Sequence, residues 1–415
     1  MLKIFFENGR FRSFLIFQVF SGIGAGIFGI FMMWVIHFEY QNPFYTGLAG
    51  FMFAVLTIAN FIIGPFVDRY NKAVLIRVTC FIRLIVVGLI LITSITYMPG
   101  VWFLLLMILV FSATGLVSSP AETALLPRIV NSEDLMKANV FISITATIAG
   151  LGIGAFLFLM MRGGAGFEIV YAINTAFLLV ALIVSAFLKS DEPKGYGIKT
   201  DAPFKVYLAE LKEGIIFVKY GVVMLLVLTL VFRDIFITVA YVNLPMFAQV
   251  HSGEASGYIV LTAIAMVGGL VGSYISRIVG PKFEVWKILA ACFVAAGVVR
   301  IVFVRVIADD FTRALWILVL YAGLGGTIGI MFNTLLQKLP PKGMVARVST
   351  ITTSLLGVTS ALGALLGGIA GTVLPDVDMV FIIQGTVYIF IGLCICLPKR
   401  IRALPKIDDV RHFTI

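Results

Sequence analysis

From Val101 to Ala121 the chain runs for 21 positions without a charged side chain, and runs of this kind recur from one end to the other. A hydrocarbon layer about 30 Å thick takes roughly 20 helical residues to cross. Only helices or closed barrels can cross it, because every backbone N–H and C=O must find its partner inside the protein. The run lengths suit helices, so the chain is expected to be an all-α polytopic membrane protein. Composition agrees: 13% of its 415 residues are charged, against roughly 25% in soluble chains.

Read at this scale, the sequence holds about twelve spans joined mostly by short loops. The first, Phe14 to Ile36, is longer than a signal-peptide core and has no small-residue cleavage site behind it, so it is read as retained. The next five are expected near Thr46–Val67, Ala73–Thr96, Val101–Thr123, Val140–Met161 and Phe167–Leu188. The last six are expected near Val222–Val250, Tyr258–Ile275, Val285–Val306, Ala314–Leu336, Val348–Val373 and Met379–Leu397. This divides the chain into an N-terminal six-helix half (1–188), a cytoplasmic linker (189–220), a C-terminal six-helix half (221–398) and a cytoplasmic tail (399–415). Within the linker Phe204, Tyr207, Leu208, Leu211, Ile215 and Val218 recur at threes and fours, a pattern for a helix lying on the membrane surface.

The net charge of +10 does not point to nucleic acid, because 25 of the 31 basic residues fall in alternate loops, the linker and the termini. The intervening loops, such as Gln41-Asn42-Pro43 and Asp376-Val377-Asp378, are short and neutral or acidic. The bias of Lys and Arg toward the cytoplasm then places both termini there. Cys80, Cys292, Cys394 and Cys396 all lie in apolar runs, and on a helix Cys394 and Cys396 point about 200° apart. Neither a disulfide framework nor a metal site is suggested. No phosphate-binding loop, HExxH pair or dinucleotide loop occurs, so neither an enzyme nor ATP drive is expected, and no cofactor is implied.

The two halves echo each other. Gly64xxxAsp68-Arg69 after the second span matches Gly272xxxSer276-Arg277 after the eighth, and Thr123-Ala-Leu-Leu-Pro127 matches Asn333-Thr-Leu-Leu-Gln337. Parallel six-helix repeats are a transporter design in which the halves rock about a central site.

The loop GPFVDRYNKAVLIR, Gly64 to Arg77, resembles the signature between the second and third helices of the major facilitator superfamily. Gln18xxSer21, Arg83, PAETALLPRIVNSEDLMKAN after the fourth span and GLGGTIGIMFNTLLQKLPPKGMVARVSTI are similar to the branch of macrolide-efflux proteins and enterobactin-type siderophore exporters. The resemblance covers nearly the whole chain and implies drug:proton antiport by alternating access. Two departures stand out: GLGIG in the fifth span lacks the Gly-Pro pair usual in drug antiporters, and Glu122 stands where that branch usually has a basic or neutral residue.

Candidate residues follow from charge placement. Asp68, Arg69 and Lys72 are expected to form an inner gate with Glu122 and Arg347, as the resemblance implies for the signature loop. Intramembrane charges face a cavity or one another; here they are Arg83, Arg233, Asp234 and Arg300. Asp234 leads as a proton-binding group, with a fixed partnership to Arg83 or Arg300 as the alternative. Glu39, with His37, marks a possible proton entry or an ordinary interfacial cluster. Gln18, Asn60, Asn174, Asn243 and Asn333 are cavity amides, each able to contact substrate or to bridge helices, and Arg83 and Arg233 complete the cavity set. The expected function is proton-driven efflux of amphipathic organic molecules by a monomer in a prokaryotic inner membrane, its partners being small-molecule substrate, protons and lipid. The alternatives are a siderophore or lipid-like metabolite exporter and a receptor or scaffold that does not transport.

Overall fold

The computed structural model describes residues 2–59, 63, 67, 70–131, 134–164, 166–188, 221–253, 256–340, 345–407 and 409–410. These fold into helices, with no strand among the described residues and one isolated bridge between Glu284 and Lys406. In chain order they are α1 (Leu2–Glu7), α2 (Gly9–Tyr40), α3 (Pro43–Ala54), α4 (Lys72–Thr96), α5 (Val101–Ile129), α6 (Leu135–Arg162), α7 (Phe167–Ser185) and α8 (Val222–Val242). There follow α9 (Leu244–Ser252), α10 (Ser256–Val279), α11 (Val285–Asp309), α12 (Phe311–Lys338), α13 (Val345–Val373), α14 (Asp378–Ile395) and α15 (Lys399–Arg402).

Eleven of these are long and apolar enough to span a membrane, and the second expected span begins as the shorter apolar stretch Pro43–Ala59. Each of the twelve expected spans therefore coincides with a helix or the start of one. Side chains such as Trp316, 76% exposed, and Val373, 74% exposed, lie on surfaces that lipid tolerates and water does not.

Two boundaries differ from expectation for reasons of helix chemistry. The fourth span was expected to stop near Thr123, yet α5 continues through Pro120 and Pro127 to Ile129. Proline costs a helix one backbone bond, but within a packed bundle neighbouring groups satisfy the freed carbonyl. The seventh span instead breaks at Asn243, with Pro245 opening α9 at a position where its missing N–H is harmless.

The described residues form two compact units: those within 1–36 and 59–188, and those within 37–58 and 221–410. The first packs α4 against α5 and α7, around Phe11, Phe14, Phe17, Ile76, Cys80 and Leu125. In the second, α10 packs on α12, α11 on α12 and α14, and α8 on α13 and α14. Its core includes Phe293, Phe332, Leu335 and Tyr388.

The stretch 37–58 sits with the second unit rather than with the residues on either side of it. The reason is a close approach of α3 to α13: a Cβ added at Gly47 would lie 2.5 Å from Gly368 Cα, so only glycine lets these backbones touch. His37 Nε2 also meets Gln249 Oε1 of α9 at 3.0 Å. The tail is likewise packed, with Ile401, Leu404, Ile407 and Val410 buried in the core of the second unit and Lys338 Nζ donating to the Ile407 carbonyl at 2.7 Å.

Candidate functional site

Each unit buries an arginine in mid-helix. In the first unit it is Arg83 of α4, 8% exposed. Its Nε donates to Thr114 Oγ1 at 2.6 Å, Nη1 to Ser21 Oγ at 3.2 Å and Nη2 to Ser118 Oγ at 2.9 Å. The guanidinium carbon lies 5.2 Å from the centre of the Phe111 ring. Phe111, Thr114, Ser118 and Glu122 are spaced three, four and four apart, so α5 presents them as one stripe. Gln18 and Ser21, three apart on α2, face it. Gln18 Nε2 donates to Glu122 Oε2 at 3.1 Å, and Arg83 and Glu122 attract through space without sharing a hydrogen bond. A carboxylate and a guanidinium in one buried network leave that network near neutral, the condition under which charges persist inside a membrane.

In the second unit, Arg233 and Asp234 are neighbours on α8. Asp234 Oδ2 accepts from Thr359 Oγ1 at 2.8 Å and from Ser360 Oγ at 2.7 Å, both on α13. Arg233 is in polar contact with Tyr388 of α14, which also contacts Tyr321 of α12. Arg300 of α11, 5% exposed, donates from Nε to Gln384 Oε1 at 2.9 Å. Its guanidinium carbon lies 4.5 Å from the ring centres of Tyr321 and Phe381 and 5.3 Å from that of Phe303.

These placements sort the expected residues. Gln18, Arg83 and Glu122 converge, although the sequence had placed Glu122 with the loop charges. Asp68, Arg69 and Asn60, the linker 189–220 and the side chain of Arg347 lie outside the described residues. Lys72 is fully buried, its Nζ donating to the Tyr70 carbonyl at 2.9 Å. The described carboxylate contacts of Asp234 are hydroxyls, and within its own unit Arg300 hydrogen-bonds Gln384 instead. Asn243 bridges helices: its Nδ2 donates at 2.8 Å to both the Val239 and Gly367 carbonyls. Asn174 is 0% exposed, with neither side-chain polar atom hydrogen-bonded. Glu39 and Asn333 are exposed and join neither cluster. Sequence reasoning missed Thr114, Ser118, Tyr321, Gln384 and Tyr388. The periodic stripe on α5 was a usable signal for the first two; the others carried none.

The model for the family described as Major Facilitator Superfamily matches residues 14–364. The chain belongs to the Major Facilitator Superfamily. As a member of it, the protein is a multi-pass membrane transporter rather than an enzyme. It is 25% identical to the enterobactin exporter EntS of Salmonella choleraesuis over 434 residues, covering 98% of this chain and 97% of that one. It is 28% identical to the uncharacterized MFS-type transporter YvqJ of Bacillus subtilis over 134 residues, 30% of this chain and 31% of that one. Among solved structures, the D-xylose-proton symporter superposes with a TM-score of 0.70 at 12% identity, over 95% of this chain and 97% of that one. The nucleoside transporter NupG does so with a TM-score of 0.68 at 12% identity, over 92% and 98%. At such identities the structures speak for the fold alone.

Proposed function

We propose that this protein is a secondary exporter of amphipathic organic molecules, working by alternating access and driven by inward flow of protons. The observation that carries the proton drive is the Arg83–Glu122–Gln18 network. Glu122 is a half-buried carboxylate whose charge is balanced by a guanidinium it does not touch, so its proton affinity depends on where Arg83 and any cargo sit. Gln18 suits both states of this carboxylate. Its amide N–H donates to the ionised form, while its Oε1 is buried without a partner and would accept from the protonated form after an amide flip. Asp234, held by two hydroxyl donors, is the second proton-binding candidate.

In this reading both termini are cytoplasmic, the membrane is the prokaryotic inner membrane, and the protein works as a monomer. Asp68, Arg69, Lys72 and Arg347 form the inner gate between two six-helix halves joined by the linker. Macrolides and dyes are the first cargo class. A second, siderophores or lipid-like metabolites, is supported by the likeness to EntS along 98% of the chain.

Proteoliposomes loaded with a macrolide, a dye or a catecholate siderophore and given a pH gradient test the proposal. The wild type is expected to move at least one of them in a gradient-dependent way. Glu122→Gln is expected to abolish the gradient dependence while keeping gradient-free counterflow, and Asp234→Asn to do so in part. Movement that ignores the gradient in the wild type overturns proton drive, unchanged coupling in both variants overturns Glu122 and Asp234 as the proton-binding groups, and absence of counterflow for all three cargoes overturns the cargo class.

A further inference from the structure

The Arg300 cluster holds more positive charge than its surroundings answer. Of the five N–H donors on this guanidinium, Nε is bonded to Gln384, and the remaining described contacts are the faces of Phe303, Tyr321 and Phe381. Ring faces attract a cation but supply no acceptor lone pair and no net negative charge. The desolvation of a buried charge is normally met by a carboxylate with further hydrogen bonds, and none is among these contacts.

A second cation enters the same cluster. Tyr321 and Tyr388 stack with ring centres 6.3 Å apart, and Tyr388 is in polar contact with Arg233, whose Nε is buried without a hydrogen bond. The carboxylate next along α8, Asp234, is engaged by the hydroxyls of Thr359 and Ser360. Four helices, α8, α11, α12 and α14, thus bring two guanidiniums, two phenols and one amide together. The group that would complete the set is a planar anion: a guanidinium fork matches the two oxygens of a carboxylate, and the rings packed around the guanidinium give the site an apolar wall that suits an aryl group better than a hydrated ion.

We propose that Arg300 and Arg233, with Tyr321, Tyr388 and Gln384, form a binding site in the second unit for the carboxylate of an aromatic acid. This deepens the transporter reading by naming an acidic aromatic feature of the cargo, and it rests on that reading for its role in transport. Binding itself needs no gradient, so it is measured separately from proton drive.

The test is calorimetric titration and thermal unfolding of the purified full-length protein with benzoate, its neutral isostere benzamide, and inorganic phosphate. Benzoate is expected to bind and to raise the unfolding temperature, with benzamide and phosphate at least ten-fold weaker. Arg300→Met is expected to lose at least ten-fold in benzoate affinity, and Arg300→Lys, which keeps the charge but not the fork, to lose less. Gln384→Glu guards against a mere folding defect: it places an internal carboxylate on Arg300, so it should abolish benzoate binding while unfolding no earlier than the unliganded wild type. Equal binding of benzoate and benzamide, phosphate binding as tight as benzoate, or full benzoate affinity in a folded Gln384→Glu protein each overturns the proposal. Benzoate binding retained in a Glu122→Gln protein that has lost gradient coupling upholds the site while leaving the drive to its own test.

Discussion

Arg83 and Arg300 occupy the third and the ninth of the expected spans and are equally hidden from solvent, yet their charges are met in opposite ways. Arg83 has three hydroxyl acceptors and a carboxylate close enough to attract it. Arg300 has three aromatic faces and one amide oxygen. The first arrangement is complete within the protein, so moving its proton or its charge has to disturb the packing of α2, α4 and α5. The second leaves donors unspent and carries no negative charge of its own, so a ligand can enter its balance without displacing a protein partner. Coupling and recognition can thus be assigned to different units because one guanidinium is answered and the other is not.

Removing each arginine should expose this contrast most sharply. Arg83→Met leaves the half-buried Glu122 without its cation and three hydroxyls without their donor, and breaking a largely buried charge network in this way costs about 3 kcal/mol. The double variant Arg83→Met/Glu122→Gln should regain more than half of that. Arg300→Met removes an uncompensated charge from among apolar rings, so in the absence of ligand it should change stability by less than about 1 kcal/mol in either direction. Denaturant unfolding of the purified variants measures both. Equal losses at the two sites would mean that the aromatic cage is structural and that the contrast is false.

The rings provide a second, smaller test. A double-mutant cycle between Arg300→Met and Phe381→Leu should give a coupling of about 1–2 kcal/mol, the range for a desolvated cation on an aromatic face. The matching cycle between Arg83→Met and Phe111→Leu should stay below about 0.5 kcal/mol, because three hydroxyls already engage that guanidinium and its carbon lies 5.2 Å from the Phe111 centre against 4.5 Å for Arg300 and Phe381. A larger value at Phe111 would place the rings, not the hydroxyls, at the centre of the Arg83 site.

How much of this contrast the sequence carries depends on distance along the chain. The spans are legible because a membrane helix is written in its own run of apolar residues. The stripe Phe111, Thr114, Ser118, Glu122 is also local, but Pro120 inside it and Pro127 just beyond it read as the start of a loop; the tertiary setting that tolerates them is not in the local pattern. The Arg300 cage is not legible at all: Phe381 and Gln384 lie some 80 positions away among 36 phenylalanines, and nothing in their spacing singles them out. For the same reason the move of residues 37–58 to the second unit escapes the sequence, since Gly47 states a permitted approach but not that Gly368 will use it.

The helices that carry the two arginines also start differently, and this yields the smallest expected effect. Asn71 caps α4, its side chain accepting from the Val74 N–H, and carries no titratable group. At the start of α11, Glu284 accepts from Lys287 Nζ at 3.1 Å and from Trp286 Nε1 at 2.8 Å. These hydrogen bonds, Lys287 first, hold its carboxyl below the ordinary carboxylate value of 4.5. A depressed folded-state pKa contributes stability that is present above the unfolded value and is lost as pH falls through the folded one. Acidification from pH 5 to pH 3 should therefore loosen the first turn of α11 and leave that of α4 unchanged, as read by Trp286 fluorescence and by amide hydrogen exchange at the two helix starts. Glu284→Gln should remove the difference. Because Glu284 is well exposed, salt should weaken the effect, and an effect that persists undiminished at 1 M salt would place its origin deeper in the helix, nearer Arg300.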